Sequence, residues 1–237
     1  MTKAEIRRQI KAQAKDKLQG NWVYALLITL PAFIFDWAGS PSDFDSTFTD
    51  MANGYGFTFP VGAVANASVM NILGFFATTA AMFALLNFFR SEKREAQPFL
   101  QTINAYGESK GLFVGTLVIG ILQMVFTTLW ALLLLVPGII KSFSYSQALF
   151  IYKDAKAAGE EISYTDALTR SRQMMDGHKW ELFVIYLSFI GWMILANLAF
   201  GLGNIILLPY MYLTIAGFYN HLKDEAAKGS EDVTSEA

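Results

Sequence analysis

The sequence predicts an all-α integral membrane protein with six transmembrane helices. They form three hairpins, each preceded by a cytoplasmic amphipathic helix. Three observations carry that prediction. The 237 residues are 54% hydrophobic and only 16% charged, with a mean hydropathy of +0.35, whereas a soluble domain carries about 25% charged residues. The charges are clumped, leaving apolar runs of the length a bilayer requires. Placed against six spans, 17 of the 18 Lys and Arg residues fall on one side, all but Lys141. The positive-inside rule then puts both termini in the cytoplasm. There is no cysteine, which excludes disulfides, thiolate metal sites and cysteine nucleophiles without fixing the compartment.

Residues 2–19 open the chain. Thr2 and Glu5 have capping-box spacing, which predicts a helix start. Ile6, Ile10, Ala14 and Leu18 recur every four residues as an apolar stripe, with Lys3, Arg7, Arg8, Lys11 and Lys15 mostly off it. Such a helix is expected on the cytoplasmic membrane surface against anionic headgroups. The alternative is a solvated charged helix that only sets topology. The segment is long, charged and without an apolar signal core, which argues against a cleaved signal peptide.

Trp22 opens the first span, roughly 22–36, with Pro31 inside it. Residues 36–60 hold Asp36, Asp43, Asp45 and Asp50 and no basic residue. They read as a solvated acidic outer loop, because the spacing is not that of a calcium loop. The second span, about 61–89, begins with small and polar residues, including Asn66 and Asn71. A close helix-packing face is the first reading of that half, and a polar pathway lining the second. A short helix from Pro98 to Tyr106 precedes the third span, about 112–136. Pro137-Gly138 is expected to break the chain there, and the fourth span, about 139–153, returns. Residues 163–176 form another amphipathic helix, with Ser163 and Asp166 as a capping pair. The fifth span, about 180–199, a tight glycine turn at 201–204 and the sixth span, about 205–221, complete a single membrane domain over 1–222. The acidic tail, 223–237, is expected to be disordered.

The order amphipathic helix, glycine, outward span, turn, returning span, basic edge recurs, with Gly20, Gly111 and Gly177 at matching places. Candidate repeats are 2–90, 97–158 and 163–226. At an offset of 70, Leu112-Phe113-Val114 falls on Leu182-Phe183-Val184 and Lys153-Asp154 on Lys223-Asp224. Such units would run parallel, unlike the inverted repeats of many carriers.

No catalytic constellation is present, so an enzyme is not expected. The chain lacks G-x-S-x-G, a phosphate-binding loop and a dinucleotide fingerprint. His178 and His221 sit near cytoplasmic span ends without further ligands at metal spacing, so neither metal nor cofactor is expected. The basic residues follow the membrane edge, which gives no nucleic-acid face. One residue breaks the pattern. Lys141 lies about one turn beyond Pro137-Gly138, where a lysine in a span is a functional candidate and a snorkelling side chain the bland alternative. Tyr145 lies one turn deeper on the same face. With Gln123, Asn197, Asn204 and neighbouring serines it would line a small polar cavity; serines bonded to their own helix carbonyls would look the same.

The run PGIIKSFSYSQALFIYKD, then Ser171, Met174, Met175 and Gly177-His178-Lys179, then LSFIGW, Leu208-Pro209-Tyr210 and Phe218-Tyr219 together resemble the bacterial membrane family catalogued as domain of unknown function 975. The opening AEIRRQIKAQAKDKLQGNW is similar to that family's N-terminal segment. The resemblance implies a multi-pass bacterial cell-membrane protein and carries no known activity. The expected role is a non-enzymatic interaction, accessory or envelope-homeostasis component with the bilayer, anionic lipids and other membrane proteins as partners. The rival is a small transporter or channel using a polar cavity near Lys141.

Overall fold

The computed structural model describes residues 2–39, 61–91, 97–107, 109–133, 135–198 and 203–235, with helical side chains at 36–39, 61–71, 131, 133, 135, 197–198 and 229–235 left aside. Among the described residues every regular element is helical. They are α1 (Lys3–Leu18), α2 (Trp22–Gly39), α3 (Val61–Arg90), α4 (Pro98–Asn104), α5 (Leu112–Leu133), α6 (Leu135–Tyr145), α7 (Ala148–Ala157), α8 (Tyr164–Met174), α9 (Lys179–Leu198) and α10 (Gly203–Ser235). The acidic outer loop, the tight turn at 201–202 and the side chains of Asn66 and Asn71 lie outside the described residues.

Among the described residues four stretches are long and apolar enough to cross a membrane: Ile72–Arg90, Leu112–Trp130, Lys179–Ala196 and Gly203–Lys228. A fifth arises if α1 and α2, bent by 102° at their junction, are one span. Six separate spanning helices are therefore not reached among the described residues. The expected fourth span is two short helices, α6 and α7, separated at Ser146-Gln147. The predicted break at Pro137-Gly138 is also displaced. Both residues lie in the first turn of α6, where proline's fixed φ and missing N–H are tolerated. The tail expected to be disordered continues α10 as helix as far as Ser235.

Local chemistry explains the helix starts. Thr2 caps α1 in a reciprocal box, its Oγ accepting the Glu5 amide at 3.3 Å while Glu5 accepts the Thr2 amide at 2.7 Å. Ser163 accepts the Asp166 amide at 3.1 Å and caps α8. Gly20, Gly111 and Gly177, which lead into α2, α5 and α9, adopt φ of 70°, 80° and 78°. That left-handed region is strained for other residues.

The helices pack in a consistent order. α2 packs on α3, α5 on α6 and α7, and α9 on α10. Each amphipathic helix docks on the pair that precedes it in this cycle. α4 lies on α2 and α3, with Thr102 Oγ donating to the Ile28 carbonyl at 2.9 Å and Tyr106 OH to the Phe76 carbonyl at 2.8 Å. α8 lies on α5, α6 and α7, and α1 closes the ring on α9 and α10. The apolar stripe of α1 is thereby buried in protein. Ile10 sits among Met175, Leu182, Ile185, Phe189, Phe218 and Leu222, and Ala14 and Leu18 join Ala25, Ile28 and Leu213.

Ser171 of α8 shows why the fourth span can break. Its side chain is fully buried, donates to the Ser144 carbonyl at 2.9 Å and accepts the Gln147 amide at 3.1 Å. One hydroxyl thus satisfies a carbonyl just before the gap and an amide within it, groups that would be costly to leave bare.

Candidate functional site

Helices α3, α7 and α10 meet at one carboxylate. Arg90 ends α3 and approaches Asp154 of α7 with both terminal guanidinium nitrogens, Nη1 to Oδ1 and Nη2 to Oδ2 at 2.8 Å each. Lys223 of α10 donates to Oδ2 at 2.7 Å and Tyr219 OH to the same oxygen at 3.0 Å. Arg90 Nε also reaches Asn220 Oδ1 at 2.8 Å. Beside this hub Lys153, only 3% exposed, donates to Asn87 Oδ1 at 2.8 Å. A fork-on-fork arginine–carboxylate pair is among the stronger polar contacts available to a protein. Partial burial pushes the Asp154 carboxyl up, but the hydrogen bonds and charges of Arg90 and Lys223 outweigh it and hold the group down at about 2. It is therefore ionised at neutral pH.

An aromatic layer lies against the hub. Phe150 stacks on Tyr219 at 5.1 Å between ring centroids, and Phe83 stands 6.3 Å from Phe150. These rings, like the hub, come from α3, α7 and α10.

A second polar cluster ties α1 to α9 and α10. Lys3 Nζ lies 3.0 Å from Glu181 Oε1, a buried carboxylate, and donates to the Gly177 carbonyl at 2.9 Å. His178 Nδ1 is 3.5 Å from Glu181 Oε1, and Glu225 Oε2 is 3.4 Å from His221 Nε2. Among the described residues no three His, Asp or Glu side chains converge closely enough to hold a metal ion.

The residues singled out from sequence are placed as follows. Lys141 is half-buried with its ammonium 4.7 Å from the centroid of the Trp130 ring, a cation–π contact. Gln123 Nε2 donates to the Tyr145 carbonyl at 2.5 Å, at the end of α6. Gln123, Tyr145, Ser142 and Ser146 line a lateral cavity of about 730 Å³ whose other walls, including Ile72, Phe75, Phe76 and Met124, are mostly apolar. Lys141 is not part of its lining. Ser142, Ser144 and Ser146 donate to the carbonyls of Ile139, Ile140 and Phe143 at 2.7, 2.9 and 2.8 Å, so each is used by its own helix. Pro137 and Gly138 shape the start of α6, and the side chain of Asn197 lies outside the described residues.

Asp154, Ser171 and three residues of the cavity wall, Ser142, Tyr145 and Ser146, lie in the C-terminal part of the chain. Residues 132–226 match the family described as Protein of unknown function (DUF975). The DUF975 match supports the resemblance read from sequence over α6 to α10, while the similarity of the opening segment lies outside it. It includes Asp154, Ser171, Tyr219 and Lys223 and leaves out Arg90 and α1. No curated protein and no solved structure matches the chain. The hub escapes a reading of the sequence alone. Its only advance signal is the offset of 70 that lays Lys153-Asp154 on Lys223-Asp224.

Proposed function

We propose that this chain is a multi-pass protein of the bacterial cell membrane. It crosses six times with both termini in the cytoplasm and acts without catalysis, as an interaction or accessory component of the envelope. Large apolar side chains on the outer faces support the membrane assignment: Val23 is 70% exposed, Met124 73% and Leu132 79%. They belong to a long series of exposed large apolar residues spread over α2, α5, α9 and α10, more than a soluble surface ordinarily carries. In this reading α6 and α7 together make the fourth crossing, broken at Ser146-Gln147. A broken helix is tolerated at membrane depth where protein satisfies its backbone, which is the part Ser171 plays.

The observation that carries the interaction reading over transport is the hub. The charges on Arg90, Asp154 and Lys223 are spent on one another, and Phe83, Phe150 and Tyr219 pack against them. This is the arrangement of a packed scaffold. A second reading, transport, is favoured by the lateral cavity with Gln123 and Tyr145 on its wall. Proteoliposomes holding the full chain and loaded with a small fluorescent solute and potassium test the two. Retention of both contents as in empty vesicles, with specific partners co-purifying from native membrane, is the expected result. Leakage abolished by Gln123→Leu would replace the interaction reading with transport.

A further inference from the structure

From the α1–α9 seam we infer a built site for an anionic glycerophospholipid, headgroup on Lys15 and one acyl chain in the groove between α9 and α10. It rests on the membrane reading above and names a partner for it.

The register of α1 against α9 sets the geometry. Lys3 meets Glu181, and Lys11 donates to Ser188 and lies 4.4 Å over the Phe189 ring. The two helices therefore run side by side in the same direction, and the next turn brings Lys15 to the level of Trp192. There Lys15 stands at a groove of about 540 Å³ lined by Trp22, Trp192, Leu195, Ile206, Leu207 and Tyr210, and closed near Ala196 and Gly203. Lys15 is its one charged residue. Among the described residues Lys15 is exposed and makes no hydrogen bond or ion pair, unlike Lys3, Lys11 and Lys17. Behind it Arg7, Arg8 and Lys11 line a smaller cleft against Val184, Ile185 and Ser188.

The groove's chemistry selects its occupant. An apolar channel walled by two indoles takes an acyl chain, and indole N–H groups suit the ester level. The unpartnered ammonium at its mouth, with three further cations on the same seam, takes a phosphate rather than a zwitterionic headgroup. The bottom of the groove is shaped by a close helix approach, since a Cβ on Gly203 would lie 2.6 Å from the Ala196 Cα.

The full chain, in nanodiscs of phosphatidylcholine containing brominated phosphatidylglycerol, tests this through quenching of tryptophan fluorescence. The wild type is expected to be quenched more by brominated phosphatidylglycerol than by brominated phosphatidylcholine. Lys15→Ala lowers that preference about fivefold, the effect of about one lysine near an anionic surface, and Lys15→Arg retains it. Ile206→Phe, which narrows the groove without adding an indole, lowers quenching by both lipids. Equal quenching by the two lipids in the wild type, or a preference unchanged in Lys15→Ala, overturns the site. Recovery of the chain in soluble form without detergent would instead overturn the membrane reading.

Discussion

Arg90 holds both carboxylate oxygens of Asp154 at 2.8 Å, joining the last turn of α3 to α7. Lys223 adds a third helix to the same carboxylate. Removing one partner from such a pair leaves the other's charge without its counterion. Asp154→Asn is expected to lower stability by about 1–3 kcal/mol, given its partial exposure. Thermal unfolding in detergent measures this, and Arg90→Lys, which loses the fork, should fall between the two proteins.

The same pair sets an acid limit. The folded Asp154 carboxyl sits at about 2, below the ordinary value of about 3.9 for the unfolded chain. A depressed carboxylate stabilises the fold above the unfolded value and loses that contribution as pH falls towards the folded one. The gap in unfolding temperature between wild type and Asp154→Asn should therefore be constant above about pH 5 and close between about pH 4 and 2. A gap that persists at the acid end would show that the charge is not its origin.

Ser171→Ala removes the hydroxyl that serves both the Ser144 carbonyl and the Gln147 amide. The expected cost is about 1–3 kcal/mol for buried polar groups left without partners. Hydrogen exchange at residues 145–150 should rise in the variant before global unfolding does, because the break between α6 and α7 loses its brace. Unchanged exchange there would show that the break needs no brace.

Glycine substitutions separate backbone strain from crowding. Gly177 has φ of 78°, and a Cβ placed on it would meet nothing within 4 Å, so Gly177→Ala should cost about 1–2 kcal/mol through backbone conformation alone. A Cβ at Gly115 would fall 2.0 Å from the Tyr152 ring, so Gly115→Ala should cost more or displace α7. At Gly191 a Cβ meets nothing, and Gly191→Ala should leave unfolding unchanged or raise it.

Much of this architecture is legible in the chain, for physical reasons. The caps at Thr2 and Ser163, the helix-ending glycines and the apolar stripe of α1 are local signals, and local chemistry decides them. What the stripe packs against is not local. Ile10 and Leu18 face α9, α10 and α2, where amphipathicity alone points to a lipid surface. The break at Ser146-Gln147 is invisible in the sequence because the group that makes it tolerable, Ser171, lies on another helix. Lys141 stands out as a charge in an apolar run, yet its ammonium rests over Trp130. The charges that bind the helices together, Arg90, Asp154 and Lys223, look in the sequence like no more than basic and acidic edges marking topology.

The absence of native cysteine makes one measurement decisive for the central claim, an even number of crossings with both termini inside. Single cysteines at Thr2, Ser46 and Ser235 are exposed in turn to a membrane-impermeant maleimide in intact bacterial cells and again after permeabilisation. The account predicts that Ser46→Cys is labelled in intact cells, while Thr2→Cys and Ser235→Cys are labelled only after permeabilisation. Labelling of either terminal cysteine in intact cells, or protection of Ser46→Cys there, would contradict it.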